Sequence, residues 1–126
     1  MGTRGMVTAP HHMAAEAGRD VLRENGTATE AMVAAAAVIA VVYPHMNSIG
    51  GDGFWLISQP GEAPIGIDAS GPAAALATRD FYREHGLAAI PTRGPMAALT
   101  VPGTIGGWDA ALSHAAFAEG RLPLSR

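Results

Sequence analysis

Residues 26–57 read GTATEAMVAAAAVIAVVYPHMNSIGGDGFWLI, and this stretch decides how the chain folds. The segment from Glu30 to Val42 is apolar on nearly every face of a helix, and Pro44 ends it. A helix without a polar face is enclosed by other structure. Because strand formers follow at residues 54–58, we expect this helix to pack between another helix and a sheet.

The residues before the apolar helix predict an amphipathic helix over residues 11–25. Its stop signal is Asn25-Gly26, where we expect Gly26 to take the left-handed conformation. Thr27 and Thr29 then offer hydroxyls that could cap the second helix, and Glu30 is favourably placed at its positive end.

The residues after the apolar helix predict a β-hairpin and two further helices. A second strand at Ile65–Asp68 pairs with residues 54–58 across a polar turn. Helices are expected around Phe81 and from Ile105 to Ala118. The order helix, helix, hairpin, helices indicates a mixed α/β (α+β) fold with antiparallel strands.

Composition excludes several classes of protein. The chain has 126 residues, which is one domain at most. Its net charge of −3 leaves no basic face for nucleic acid, and without cysteine it has neither disulfides nor a Cys nucleophile. The longest apolar run, residues 31–43, falls short of the roughly 20 residues that cross a membrane. No secretory signal stands in residues 1–10, so we expect a cytoplasmic chain without a membrane partner, and a periplasmic one if a segment precedes it.

Two possible ligand sites lack residues that they need. His12 and Glu16 share one helical face, but no third ligand is near, and zinc requires three or four. The glycines of residues 50–53 follow a helix and precede a strand, whereas phosphate loops have the opposite order. The sequence therefore predicts no metal and no cofactor, and the glycines are interpreted as allowing close backbone approach.

A third candidate is the strand end Asp68-Ala69-Ser70-Gly71-Pro72. Side chains in loops at strand ends commonly form sites. Ser70 has no evident base partner in the sequence, and no Ser-His-Asp or paired-carboxylate arrangement can be assembled. The residues alone therefore define no complete catalytic centre.

The order of several motifs along the whole chain resembles the γ-glutamyltranspeptidase family. The segments that carry this resemblance are Gly5–His12, Ala14–Leu22, Gly26–Ala31, Pro44–Phe54 (PHMNSIGGDGF) and Val101–Trp108 (VPGTIGGW). The resemblance implies an N-terminal-nucleophile hydrolase with an αββα sandwich, of which this chain is an incomplete part. It also implies a precursor that cuts itself, so that a newly N-terminal Thr becomes the nucleophile.

The family's T-T-H-x-S nucleophile segment has no counterpart in residues 1–126. We therefore expect residues 1–126 to be an N-terminal fragment of the large subunit, with the nucleophile beyond Arg126. The implied partners are the remainder of the large subunit, the small subunit and a small amide substrate. The alternative is a catalytically inactive remnant or binding module.

The family's strand after the hairpin reads L-D-x-R-E-x-A-P, and its Arg holds the α-carboxylate of the γ-glutamyl group. Here Asp68 keeps the register and Ser70 stands where that Arg would be, so Asp68 and Ser70 are the expected substrate-binding residues. Arg79, Arg93 or a residue beyond Arg126 is an alternative carboxylate partner. The SIGGDGFWL wording is similar to a branch of small-amide hydrolases of the oxamate amidohydrolase type. The implied reaction is cleavage or transfer of a γ-glutamyl group, or hydrolysis of a similar small amide.

Overall fold

The computed structural model describes residues 5–97 and 100–116 of the chain. They form four helices and one two-stranded antiparallel sheet, which confirms the mixed fold class and the predicted order. The elements are α1 (His12–Arg23), α2 (Ala28–Val42), β1 (Gly53–Ile57), β2 (Ile65–Ala69), α3 (Arg79–Glu84) and α4 (Thr104–Ala116). In these ranges no helix has the length and hydrophobicity of a membrane span.

α1 is capped at both ends by local hydrogen bonds. The His11 side chain accepts from the backbone N–H of Met13 at 3.3 Å. At the other end, the N–H of Gly26 donates to the Val21 carbonyl at 2.9 Å in a six-to-one bond. The left-handed residue is Asn25, with φ of 66°, so the prediction for Gly26 was wrong by one position. Asn tolerates this conformation because its short polar side chain relieves the steric cost.

α2 begins at a capping box. The N–H of Glu30 donates to the Thr27 hydroxyl at 3.2 Å, and the Glu30 carboxylate accepts from the Thr27 N–H at 2.6 Å. Thr27 therefore supplies the cap, and Thr29 lies inside the helix. α2 starts at Ala28, two residues before the predicted Glu30, because the capping box places Glu30 at the third helical position.

α1 and α2 pack closely because a glycine faces the contact. A β-carbon added to Gly18 would lie 2.8 Å from the Ala31 carbonyl oxygen and 2.8 Å from Val7 Cγ1. Ala14 and Ala31 are fully buried there. Small side chains at this contact let the two backbones approach, so the alanine-rich composition serves helix packing.

Within the described residues, α2 does not pack directly on the hairpin sheet as predicted. α2 packs on α1 and on α4, and it is α4 that packs on both strands of the hairpin. Ala31, Val33 and Ala35 are buried, whereas the Val41 side chain is 76% exposed to solvent within the described residues. α4 contacts α2, β1 and β2, so it lies where the sheet was expected, between α2 and the hairpin.

The hairpin has one covered face and one open face. Gly53 pairs with Ala69, and Ile57 pairs with Ile65, in antiparallel register. Phe54 and Leu56 are 70% and 80% exposed, and they alternate with half-buried residues along β1. β1 begins and ends one residue earlier than predicted, and β2 ends one residue later.

The later helices agree with their predictions over the described residues. Thr78 caps α3 by accepting from the N–H of Phe81 at 3.2 Å. α4 is described from Thr104 to Ala116, and the predicted continuation to Ala118 lies outside the described residues.

α4 contacts the hairpin through one of two adjacent glycines. A β-carbon on Gly107 would lie 2.7 Å from Ala69 Cβ and 3.2 Å from Trp55 Nε1, whereas one on Gly106 would meet nothing within 4 Å. Trp108 and Ala111 are buried on the same helix. Gly107 is therefore required by packing, and Gly106 is not.

We expect Thr27→Ala to lower the free energy of unfolding by about 1 kcal/mol, because it removes the cap of α2. Thr29→Ala is the matched control and should change stability by much less, since Thr29 does not cap. Chemical denaturation of both variants measures the difference. Equal losses would contradict the assignment of the cap to Thr27.

We expect Gly107→Ala to destabilise the protein by about 1–3 kcal/mol, because the added methyl overlaps Ala69 and Trp55. Gly106→Ala should instead stabilise it by up to about 1 kcal/mol, because alanine favours helix and its methyl faces open space. Thermal denaturation compares the two variants, and shifts of the same sign would contradict this packing.

Candidate functional site

Three chain segments meet at the end of the hairpin where β1 begins and β2 ends. They are residues 50–53, residues 69–73 and residues 100–104, and we call this meeting point the three-segment junction. The N–H of Val101 donates to the Pro72 carbonyl at 2.9 Å, and Ala73 forms an isolated antiparallel bridge with Thr100. The junction is therefore made mainly of backbone atoms.

The carbonyl oxygen of Gly51 accepts three hydrogen bonds in the junction. The backbone N–H groups of Gly103 and Thr104 donate to it at 3.1 Å each, and the Thr104 hydroxyl donates at 2.8 Å. The first N–H groups of a helix have no partner within it, so this carbonyl acts as a cap for α4. The glycine cluster is thereby fastened to the start of α4.

In the junction, two positions outside the predicted glycine cluster have no room for a side chain and must be glycine. A β-carbon on Gly71, whose φ is 73°, would overlap the carbonyl oxygen of Val101, and one on Gly103 would overlap the carbonyl oxygen of Ala69. At Gly51, by contrast, a β-carbon would meet nothing within 4 Å. At Gly51 the predicted close approach of two backbones takes the form of hydrogen bonds to its carbonyl. The positions that have no room for a side chain are Gly71 and Gly103. Their Ser-Gly-Pro and Pro-Gly-Thr contexts were the only sequence signal for it.

Asp68 and Ser70, the two predicted substrate-binding residues, lie together beside the junction. The Ser70 N–H donates to Asp68 Oδ1 at 2.9 Å, and the Asp68 side chain is exposed. Hydrogen bonds from the Ser70 hydroxyl and from its backbone N–H hold the pKa of Asp68 below its ordinary value, because they stabilise the carboxylate. The pair thus presents an ionised carboxylate next to a hydroxyl.

The arginines considered as alternative carboxylate partners are not joined to this pair. Arg79 begins α3, Arg93 lies in the loop after it, and both are exposed. In the described part of the chain no ion pair connects either one to Asp68.

The structure uses the predicted histidine pair for capping and stacking. His11 caps α1, and its ring stacks on that of His12 with centroids 4.6 Å apart. Over residues 5–97 and 100–116, no group of three His, Asp or Glu side chains is arranged to hold a metal ion.

An open cavity of about 580 Å³ lies between α2 and β1, and no pattern in the sequence indicated it. Two of its lining residues, His45 and Asp52, are titratable, and the ring of Tyr43 contacts that of His45 at a tilt of 56° with centroids 4.2 Å apart. Trp55 and Trp108 also line it. The cavity borders the glycine cluster and therefore lies next to the junction.

Comparison with known proteins identifies the family to which this architecture belongs. The gamma-glutamyltranspeptidase family model matches residues 14–126. The chain belongs to the γ-glutamyltranspeptidase family. The predicted resemblance is confirmed, and Val101–Trp108 and Pro44–Phe54, which meet in the junction, fall within the matched range.

The similar curated proteins are proenzymes of this family. An oxamate amidohydrolase proenzyme of Klebsiella pneumoniae is 58% identical over all of this chain, which spans 24% of its length. A glutathione hydrolase-like proenzyme of Bacillus subtilis is 44% identical over 99% of the chain, which spans 23% of it. The chain thus spans about a quarter of the length of these relatives.

A solved γ-glutamyltranspeptidase has the same fold over most of this chain. The enzyme of Helicobacter pylori superposes with a TM-score of 0.78 at 30% identity, covering 90% of this chain and 33% of its own. The predicted fold class is confirmed, and the described elements correspond to part of an N-terminal-nucleophile hydrolase.

We expect Ser70→Ala to raise the pKa of Asp68, because the lost hydroxyl is the larger cause of its depression. The backbone N–H at position 70 remains, so part of the depression persists. A carboxyl with a lowered folded pKa stabilises the fold above its unfolded pKa, and that contribution disappears as pH falls through the folded pKa. In the variant this contribution is smaller, and its loss is complete at a higher pH.

Carbon-13 NMR titration of the Asp68 carboxyl measures this change directly. Ser58→Ala is the control, since Ser58 is an exposed residue at the far end of the hairpin. An Asp68 titration that is the same with and without the Ser70 hydroxyl would contradict the pairing.

Proposed function

We propose that this chain is part of the large subunit of a self-processed amide hydrolase whose substrate is a small amide such as oxamate. The higher sequence identity to an oxamate amidohydrolase than to a glutathione hydrolase-like protein supports this proposal. The chain is 58% identical to an oxamate amidohydrolase proenzyme and 44% identical to a glutathione hydrolase-like one. Residues 1–126 would form its N-terminal portion.

The observation that carries the substrate assignment is the Asp68–Ser70 pair. The family motif places an Arg at the position of Ser70, where it holds the α-carboxylate of a γ-glutamyl group. A guanidinium binds a carboxylate by two charge-assisted hydrogen bonds, whereas a Ser hydroxyl offers one neutral donor. The difference, roughly 1.5–3 kcal/mol, corresponds to about 10- to 150-fold weaker binding of a γ-glutamyl substrate.

In the proposed reaction, the N-terminal Thr from another part of the protein attacks the amide carbon of the substrate. Its own amino group takes the hydroxyl proton, and N–H donors stabilise the negative oxygen of the tetrahedral intermediate. The protonated amino group gives that proton to the amide nitrogen, which leaves as ammonia, and water then attacks the acyl-enzyme and releases the acid. Asp68 and Ser70 contact the substrate and orient it for that attack.

The proposed partners are the remainder of the large subunit and the small subunit. Exposed apolar side chains support them: Phe54 and Leu56 form the open face of the hairpin, and Val41 is exposed on α2. Apolar faces of this kind mark contact with further protein. We also propose a cytoplasmic location, which cell fractionation distinguishes from a periplasmic one, and no nucleic acid partner, in line with the net charge of −3.

Activity of the full-length protein tests the proposal. We expect ammonia release from oxamate and little turnover of γ-glutamyl-p-nitroanilide. Ser70→Ala should raise KM for oxamate about three- to tenfold through loss of one hydrogen bond. Ser70→Arg should improve turnover of the γ-glutamyl compound, because a guanidinium binds its α-carboxylate by two charge-assisted hydrogen bonds.

Mass spectrometry of the same preparation detects self-cleavage as a new chain with an N-terminal Thr. A single uncut chain without turnover would indicate the inactive alternative. Efficient turnover of γ-glutamyl-p-nitroanilide by the unmodified protein would overturn the substrate assignment while leaving the family chemistry in place.

A further inference from the structure

The Thr104 hydroxyl makes a partly buried hydrogen bond between distant segments of the chain, and the hydrolase reaction does not itself require this bond. It donates to the carbonyl of Gly51 at 2.8 Å, and the two residues are 53 positions apart in sequence. Thr104 is only 8% exposed to solvent. The bond joins the first residue of α4 to the loop that leads into β1.

The hydroxyl is not needed to satisfy the Gly51 carbonyl. That oxygen already accepts the N–H groups of Gly103 and Thr104 at 3.1 Å, and a carbonyl oxygen has two lone pairs. A valine at position 104 would keep the shape and leave no polar atom without a partner. The third bond therefore adds geometric restraint, because it fixes the Thr104 side chain as well as its backbone to Gly51.

This restraint reaches β2 by two short routes. On one side, the Cβ position of Gly53 lies 3.5 Å from Thr104 Cα, and Gly53 pairs with Ala69 in the sheet. On the other side, Gly103 lies directly against the Ala69 carbonyl oxygen. Ala69 thus lies between Gly103, the residue before Thr104, and Gly53, whose Cβ position faces Thr104.

Ala69 is the residue between Asp68 and Ser70, so its position sets how that pair faces the substrate. We infer that Thr104 is a positioning residue, whose hydroxyl holds Gly51 and thereby fixes the β2 end that carries Asp68 and Ser70. This inference rests on the proposed function, in which those two residues contact the substrate.

The test compares Thr104→Val, which removes only the hydroxyl, with Thr104→Ser, which keeps it, in the full-length protein. Thr29→Val is the matched control, since Thr29 lies in α2 outside the junction. We expect Thr104→Val to raise KM for oxamate about fivefold, with kcat within twofold of the unmodified protein. Thr104→Ser should restore KM to within twofold, and Thr29→Val should leave both constants unchanged.

A purely structural role predicts a different pattern. If Thr104→Ser raises KM as much as Thr104→Val, the methyl group rather than the hydroxyl matters, and the inference fails. An unchanged KM in Thr104→Val, or equal losses of kcat and folded protein, also overturns it.

A second readout does not depend on the substrate. Loosening the β2 end should weaken the Ser70–Asp68 hydrogen bonds, so the Asp68 carboxyl should titrate at a higher pH in Thr104→Val than in Thr104→Ser. If the unmodified protein fails to hydrolyse oxamate, the proposed substrate is wrong, and this titration still decides the role of Thr104. Identical titrations in the two variants would overturn it.

Discussion

The fold depends on one backbone carbonyl, that of Gly51, which fastens the start of α4 to the entrance of the hairpin. α4 is the helix that contacts α2 and both strands, so its placement decides how the helical pair and the sheet are joined. A helix start that is buried requires partners for its N–H groups, and here a distant loop supplies them. The same contact sets where β2 ends and where Asp68 and Ser70 lie.

The close contacts around this carbonyl are possible because glycine and alanine occupy them. Gly18 lets α1 meet α2, Gly107 lets α4 meet the hairpin, and Gly71 and Gly103 let two loops cross. Each contact brings a backbone within van der Waals distance of another segment, which raises packing density without large side chains. The charged fraction of 15% is low, in line with the proposed contacts with further protein.

The sequence predicted what is local and missed much of what is distant. Thr27, Glu30 and Pro44 marked α2 because caps and stops act over a few residues. Asn25 rather than Gly26 is the left-handed residue at the end of α1, and the sequence did not distinguish them because both residue types tolerate that conformation. The packing of α2 on α4 could not be predicted, because it depends on hydrogen bonds between residues some 50 positions apart. Asp68 and Ser70, at the end of β2, were chosen by register with a family motif, and their substrate contact stays a prediction. No pattern pointed to the cavity beside His45.

The three-segment junction is held by main-chain atoms and by glycines, and Ser70, the proposed substrate contact, lies at its edge. Main-chain hydrogen bonds do not depend on which side chain stands at the neighbouring position. Position 70 can therefore change from arginine to serine without any alteration of the framework that presents it. Within such a family, a change of one codon could alter the substrate preference with little loss of folding stability.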